Sequence, residues 1–181
     1  MDDLLFDLGD GAAVRPVRAA DVDALYALTV VNQAHLEPWM PWAAQPDRAA
    51  TETYVAGALA QRDREDGFQA VLLVDGEIAG SIGFHRIDRI NLATTMGYWI
   101  TEAHQGKGIV TRAVRALVTH AFTDWGLRRV EIDAGAANVR SRAIPERLGF
   151  VFEGIRRDGE RFGDRYVDLS VYSMLAPDWR L

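Results

Sequence analysis

The sequence predicts an α+β fold: a mixed, mostly antiparallel twisted sheet with flanking helices and one parallel β-α-β unit, in a single domain over 1–181. Three observations carry this. Two apolar runs, 68–74 and 77–87, are joined by Asp75-Gly76, a pair suited to the two-residue turn of a hairpin. From Val110 to Trp125 the apolar residues recur at helical spacing and form one stripe. That stripe lies between two strand-like runs, and a strand, a helix and a strand in succession make a crossover that leaves the strands parallel. Hairpins come first and one crossover later, which is not the order of a doubly wound sheet.

Taken along the chain, residues 12–20 read as extended, and Asp21 stands where an N-cap would open a helix to about Asn32. The stretch 35–46, HLEPWMPWAAQP, is rich in Pro and Trp and fits neither helix nor strand. Helical propensity returns from Asp47 to about Asp66, followed by the hairpin strands and a third strand, 91–100, ending at Ile100. In the next helix Val110, Ala113, Val114, Leu117, Val118, Ala121, Phe122 and Trp125 share one face. Gly126 ends it, as a glycine beyond a C-terminus does. RRVEIDAG, 128–135, completes the crossover. A short helix over 141–148, with Ser141 as its expected N-cap, stops at Gly149, and FVFEGIRR and RYVDLSVYSML finish the chain as two strands.

Composition narrows the function. A net charge of −6 and a pI near 5.2 argue against nucleic acid as a general partner. The absence of cysteine removes disulfides, thiolate metal sites and a cysteine nucleophile, and suits a reducing cytoplasm. The histidines show no metal-ligand spacing, so no metal is expected. The acidic start, MDDLLFDLGDG, lacks the parts of a signal peptide, and no apolar run approaches a membrane span. A soluble, cytoplasmic protein with no membrane partner is the expectation. Acids outnumber arginines over 1–66, and arginines outnumber acids over 140–165. The first region suits a cationic substrate and the second suits phosphates, although each also reads as an ordinary solvated surface.

The segment TEAHQGKGIVTRAV, 101–114, sets the only lysine of the chain between two glycines at the start of the striped helix. A helix start offers unpaired N–H groups and a positive dipole end, and Gly106 and Gly108 let the backbone come close to an anion. A P-loop would need a glycine where Thr101 stands and a Ser or Thr where Gly108 stands. A dinucleotide fingerprint would need a third glycine where Thr111 stands, after a parallel strand. From the turn alone, a coenzyme A cradle and a plain glycine-rich helix start both stay open.

QGKGIV resembles the Q/R-x-x-G-x-G/A signature of the GNAT acetyltransferases, with Val110 where that signature has Gly or Ala. ANVRSRAIPERLGFVFEG, 137–154, resembles the second GNAT signature, in the right order and spacing. HLEPWMPW, SRAIPERLGF and RRDGERFGDRYVDLSVYSML are similar to the RimJ/RimL branch, which acetylates the N-terminal amines of ribosomal proteins. The likeness runs from about Val14 to Leu175.

The resemblance implies a GNAT fold and acetyl-CoA as co-substrate. It implies that the backbone of Gln105, Gly106, Lys107, Gly108, Ile109, Val110 and Thr111 holds the pyrophosphate. The pantetheine arm would run along the strand end at Ile100, with a further coenzyme contact at Asn138. Where many members keep a tyrosine as general acid, this chain has Pro145; the branch offers Ser141 as acid instead and Glu160 as base. Ser141 also reads as a helix cap, Glu160 as a salt-bridged surface residue, and Asn138 as a strand terminator. Trp39 and Trp42 are expected as packing residues or as a substrate wall, and His85 and His104 as alternative bases. The resulting expectation is direct acetyl transfer in a ternary complex to a protein N-terminal amine. A small-molecule N-acetyltransferase acting on a polyamine, amino acid or aminoglycoside and a non-catalytic acyl-CoA sensor are the alternatives, and a homodimer is common in the branch.

Overall fold

The computed structural model describes residues 5–180. One eight-stranded sheet organises them: β1 (Phe6–Gly9), β2 (Ala12–Pro16), β3 (Gln69–Val74), β4 (Glu77–Phe84), β5 (Ala93–Ile100), β6 (Arg129–Gly135), β7 (Val151–Phe162) and β8 (Arg165–Leu175). Their spatial order is β1-β2-β3-β4-β5-β6-β8-β7, and only β5 and β6 pair in parallel. The turn between β3 and β4 has Asp75 and Gly76 at φ of 51° and 86°, the left-handed pair that a tight hairpin requires. β1 and the segment 35–46 depart from expectation. β1 is a short edge strand whose four residues give too brief a pattern to read. The Trp-rich stretch contains the end of a one-turn helix, α2 (Gln33–Leu36), and a 3-10 turn, Pro41–Ala43, in which Pro41 opens the turn.

On one face of the sheet lies the crossover helix α4 (Ile109–Thr123), whose Val110, Ala113, Val114, Leu117, Val118 and Ala121 are buried in the main core with Met96, Ile100 and Ile132. Burying a side chain such as Leu117 contributes about 1.5–3 kcal/mol. On the other face α1 (Val22–Val31) and α3 (Arg48–Asp63) pack a smaller cluster around Leu25, Val55 and Val71, with Trp99 against it. Asp21 precedes α1 as expected, but its carboxylate takes the Arg15 guanidinium and the Arg18 N–H instead of capping the helix.

α5 (Val139–Arg147) begins earlier than the sequence suggests. Asn138, not Ser141, is its N-cap: the Asn138 side-chain oxygen accepts the Ser141 N–H at 3.1 Å. ANVRS holds two good capping residues, and the chain turns at the first of them, since the Asn138 N–H already bonds to the Gly135 carbonyl.

The β5–β6 ladder is short. Pairing runs from Ala93↔Arg129 to Met96↔Ile132 and then stops, although β5 continues to Ile100 and β6 to Gly135. Past Met96 the strands part and leave a seam in the middle of the sheet. Among the described residues no helix is long and apolar enough to cross a membrane.

Candidate active site

Two cavities meet at that seam. One, of about 690 Å³, lies mainly on the α1/α3 face; the other, of about 940 Å³, runs past the start of α4 to α5. Trp39, Met40, Tyr98, Trp99, Asn138 and Ser141 line both. Alternation along β5 accounts for the division only in part, because Tyr98 and Trp99 both reach the two cavities. Met96, Tyr98 and Ile100 turn toward the α4 core, while Thr95, Gly97 and Trp99 turn the other way.

The larger cavity is a groove around the glycine turn. Gly106 and Gly108 have φ of 74° and 71°, and a Cβ on Gly106 would meet only open space. Among the described residues the N–H groups of Gly106, Lys107 and Gly108 find no protein acceptor, and those of Ile109, Val110 and Thr111 lie in the first turn of α4, where no intrahelical partner exists. Converging donors at a positive helix end fit a pyrophosphate. Lys107 is exposed and its side chain is not part of the groove wall. Among the described residues the cations of the groove are Arg140 and Arg147, and no carboxylate lines it. Val110 is buried toward the core, which accommodates its departure from the small residue of the signature.

The groove is bridged. Gln105 places its side-chain nitrogen 2.9 Å from His35 Nε2 and accepts from Arg140 through Oε1 at 2.7 Å, so α2, the glycine turn and α5 form one chain of contacts. Asn32 accepts the Glu102 N–H at 3.1 Å and ties the same helical segment to the strand end. His104 is committed to Thr101, its Nδ1 lying 2.8 Å from the hydroxyl.

Ser141 sits where the cavities join. Tyr98 Oη donates to the Ser141 carbonyl at 3.1 Å, and the Ser141 hydroxyl points back at Tyr98 Oη at 3.4 Å. Burial pushes the Tyr98 hydroxyl pKa well up, so it stays protonated. Tyr98 was not a sequence candidate. The available signal was its place on the core-facing side of the strand that leads into the glycine turn.

The smaller cavity is lined by Asp47, Asp133 and Glu160 and by no lysine or arginine. Glu160 reaches it because β7 bulges: the register jumps between Arg156↔Leu169 and Glu160↔Val167, with Asp158 at φ 50°. Such a bulge re-aims a side chain. Glu160 is therefore exposed, as the sequence suggested, yet forms a cavity wall. Partial burial of its carboxyl, with Asp133 nearby, raises its pKa. Trp39 and Trp42 are 37% and 49% exposed and line the cavity, and Trp42 packs on Trp99 with ring centroids 5.9 Å apart. Packing and wall are thus one role. Among the described residues no group of three His, Asp or Glu could hold a metal ion.

Comparison with known proteins identifies the family and the fold. The sequence model of the acetyltransferase (GNAT) domain matches residues 13–151. The chain is 39% identical over 168 residues to "Putative ribosomal N-acetyltransferase YdaF" of Bacillus subtilis (strain 168), covering 92% of each. It is 31% identical over 156 residues to the ribosomal-protein-serine acetyltransferase of Escherichia coli (strain K12), covering 85% of this chain and 87% of that one. Among solved structures, RimL, a ribosomal L7/L12 alpha-N-protein acetyltransferase in complex with coenzyme A, superposes with a TM-score of 0.89 at 27% identity, covering 95% of this chain and 98% of RimL.

Proposed function

Since this chain belongs to the GNAT family and is an acetyl-CoA-dependent N-acetyltransferase, we propose that its acceptor is the N-terminal α-amine of a protein, of the ribosomal-protein kind, and that transfer is direct. One observation carries the reading: an acidic cavity without cations and a basic groove without carboxylates join at Ser141. The names of the relatives support the choice of a protein acceptor.

The groove residues divide the work of holding the co-substrate. The amides from Gln105 to Thr111 receive the pyrophosphate, Ile100 lies beside the pantetheine arm, and Asn138 flanks it while capping α5. Bound acetyl-CoA supplies a thioester whose carbonyl carbon accepts the amine and whose sulfur leaves. Asp133 and Glu160 draw in the ammonium, and Glu160 takes its first proton. An α-amine loses that proton near pH ~7.7–8.0, against ~10.4 for a lysine or similar alkylamine, so a carboxylate of raised pKa is an adequate base for the former. Ser141 protonates the departing thiolate, and Tyr98 holds Ser141 in position. Trp39 and Trp42 wall the acceptor. The expected homodimer is supported by Val151, Phe152 and Ile155, exposed on the outermost strand β7, and light scattering tests it.

Thiol release from acetyl-CoA with a peptide beginning Ser or Ala, set against spermidine, tests the acceptor. The peptide is expected to be the better substrate; a preference for spermidine means a small-molecule enzyme, and silence toward both amines with tight coenzyme binding means a sensor. Ser141→Ala is expected to lower kcat by about 10²-fold or more with little change in coenzyme affinity. Unchanged kcat removes the acid role.

A further inference from the structure

The acidic cavity has a floor that the roles of Ser141 and Glu160 leave unused. His85 directly follows β4, and its N–H donates to the Thr95 carbonyl at 2.8 Å. Its Nδ1 lies 2.8 Å from Thr95 Oγ1. The far edge of the ring lies over Gly97, so close that a Cβ there would stand 3.3 Å from both Cε1 and Nε2. Gly97 is the first β5 residue beyond the last β5–β6 pair, which puts the imidazole at the opening of the seam. On the opposite face, the next residue, Tyr98, holds Ser141.

The charges around the ring are all accounted for by neighbouring elements. Tyr54 of α3, Asp133 of β6 and Glu160 of β7 share its cavity, with Asp47 at the start of α3. His85 as a residue is exposed, but partial desolvation of its ring at the cavity wall lowers its pKa, with Asp133 acting against that, a direction that favours the neutral base. Asp133 Oδ2 accepts from the Arg156 guanidinium at 2.7 Å, but its Oδ1 is shielded from water and has no hydrogen-bond partner among the described residues. Burying a carboxylate oxygen unpaired is costly, and the cost falls when a cation forms beside it.

An ammonium acceptor must lose two protons from nitrogen to become an amide, and Glu160 accounts for one. Resting on the reading that this cavity receives the amine, we propose that His85 is the second proton acceptor. With Nδ1–H donating to Thr95 Oγ1, the Nε2 lone pair takes the remaining excess proton from the acceptor nitrogen as its bond to the acyl carbon forms. Asp133 balances the imidazolium. The C–N bond forms and the C–S bond breaks, and sulfur takes the Ser141 proton. His85 returns its proton to solvent, solvent restores Ser141, and the Glu160 proton is the one released. The products are one amide, one thiol and one proton.

The test is His85→Gln, which keeps a hydrogen-bonding group beside Thr95 but cannot take the proton. The kcat–pH profile is measured with the Ser peptide and separately with spermidine, acetyl-CoA affinity is measured by calorimetry, and the His85 ring is titrated by NMR in the free wild-type enzyme and in Asp133→Asn. His85→Gln is expected to lose about 10²–10⁴-fold in kcat with coenzyme affinity nearly unchanged, and the acid limb of the profile is expected to move to lower pH, where Glu160 alone titrates. The wild-type ring is expected to titrate below 6.5, and Asp133→Asn to shift it lower still, because the opposing charge is gone. Near-wild-type kcat, an acid limb that does not move, or a ring titrating above 6.5 overturns the assignment, and the NMR result decides even if the variant does not fold. Peptide silence with spermidine turnover refutes the protein-acceptor reading while the His85 comparison is still read on spermidine. A wild-type enzyme silent toward both overturns the two together.

Discussion

The acidic cavity and the groove at the glycine turn share six wall residues and oppose each other in charge. Asp47, Asp133 and Glu160 line the first; Arg140 and Arg147 line the second. The net charge of −6 reveals neither. What the contrast teaches is that placement in the fold decides local potential: the carboxylates come from the start of α3, from β6 and from β7, and both arginines come from α5. Regional tallies along the chain mislead in the same way. The acidic stretch 1–66 contributes only Asp47 to the acidic cavity, and in the arginine-rich stretch Arg142 is spent on Tyr172 and Glu146 while Arg156 is spent on Asp133.

Three substitutions sharpen or break the contrast. The largest effect is expected from Gly108→Val. A branched side chain at φ 71° costs roughly 1–2 kcal/mol, so acetyl-CoA affinity should fall about tenfold, measured calorimetrically, with the peptide KM little changed. A matching rise in peptide KM would mean that the two cavities are not separable. Next is Arg140→Glu, which reverses one groove charge and cuts the contact to Gln105. Affinity should fall about fivefold, roughly 1 kcal/mol, and become less sensitive to salt; unchanged affinity would show that the backbone amides alone suffice. The smallest is Asn138→Ala, which removes the α5 cap at about 1 kcal/mol and should lower the Tm by about 2–4 °C in a chain of this size. If activity falls well beyond what that loss of stability explains, Asn138 also touches a substrate.

Much of the fold was legible because local rules governed it. The Asp75-Gly76 turn, the stripe from Val110 and the parallel crossover all formed as the sequence predicts. β1 was not, since four residues at a sheet edge carry little pattern. The glycine turn was readable as an anion cradle, though the side chain of Lys107, its most conspicuous residue, is not part of the groove wall. The acceptor side was less legible for a physical reason. His85, Thr95 and Asp133 converge only through the register of three strands, and Glu160 joins them only through a bulge in a fourth. Spacing along the chain holds no trace of that. Ser141 was found as a candidate but given the wrong structural duty: it lies inside the first turn of α5, fastened to Tyr98.

The parted strands have a further consequence for traffic. Because β5 and β6 separate past Met96, two openings lie on either side of one wall, and on the proposed reading the reaction would take place in the gap. A bulky guest, even a whole folded protein offering only its first residues, would then stay outside its own entrance while the nucleotide used the other. Neither leaving molecule then has to wait behind its companion.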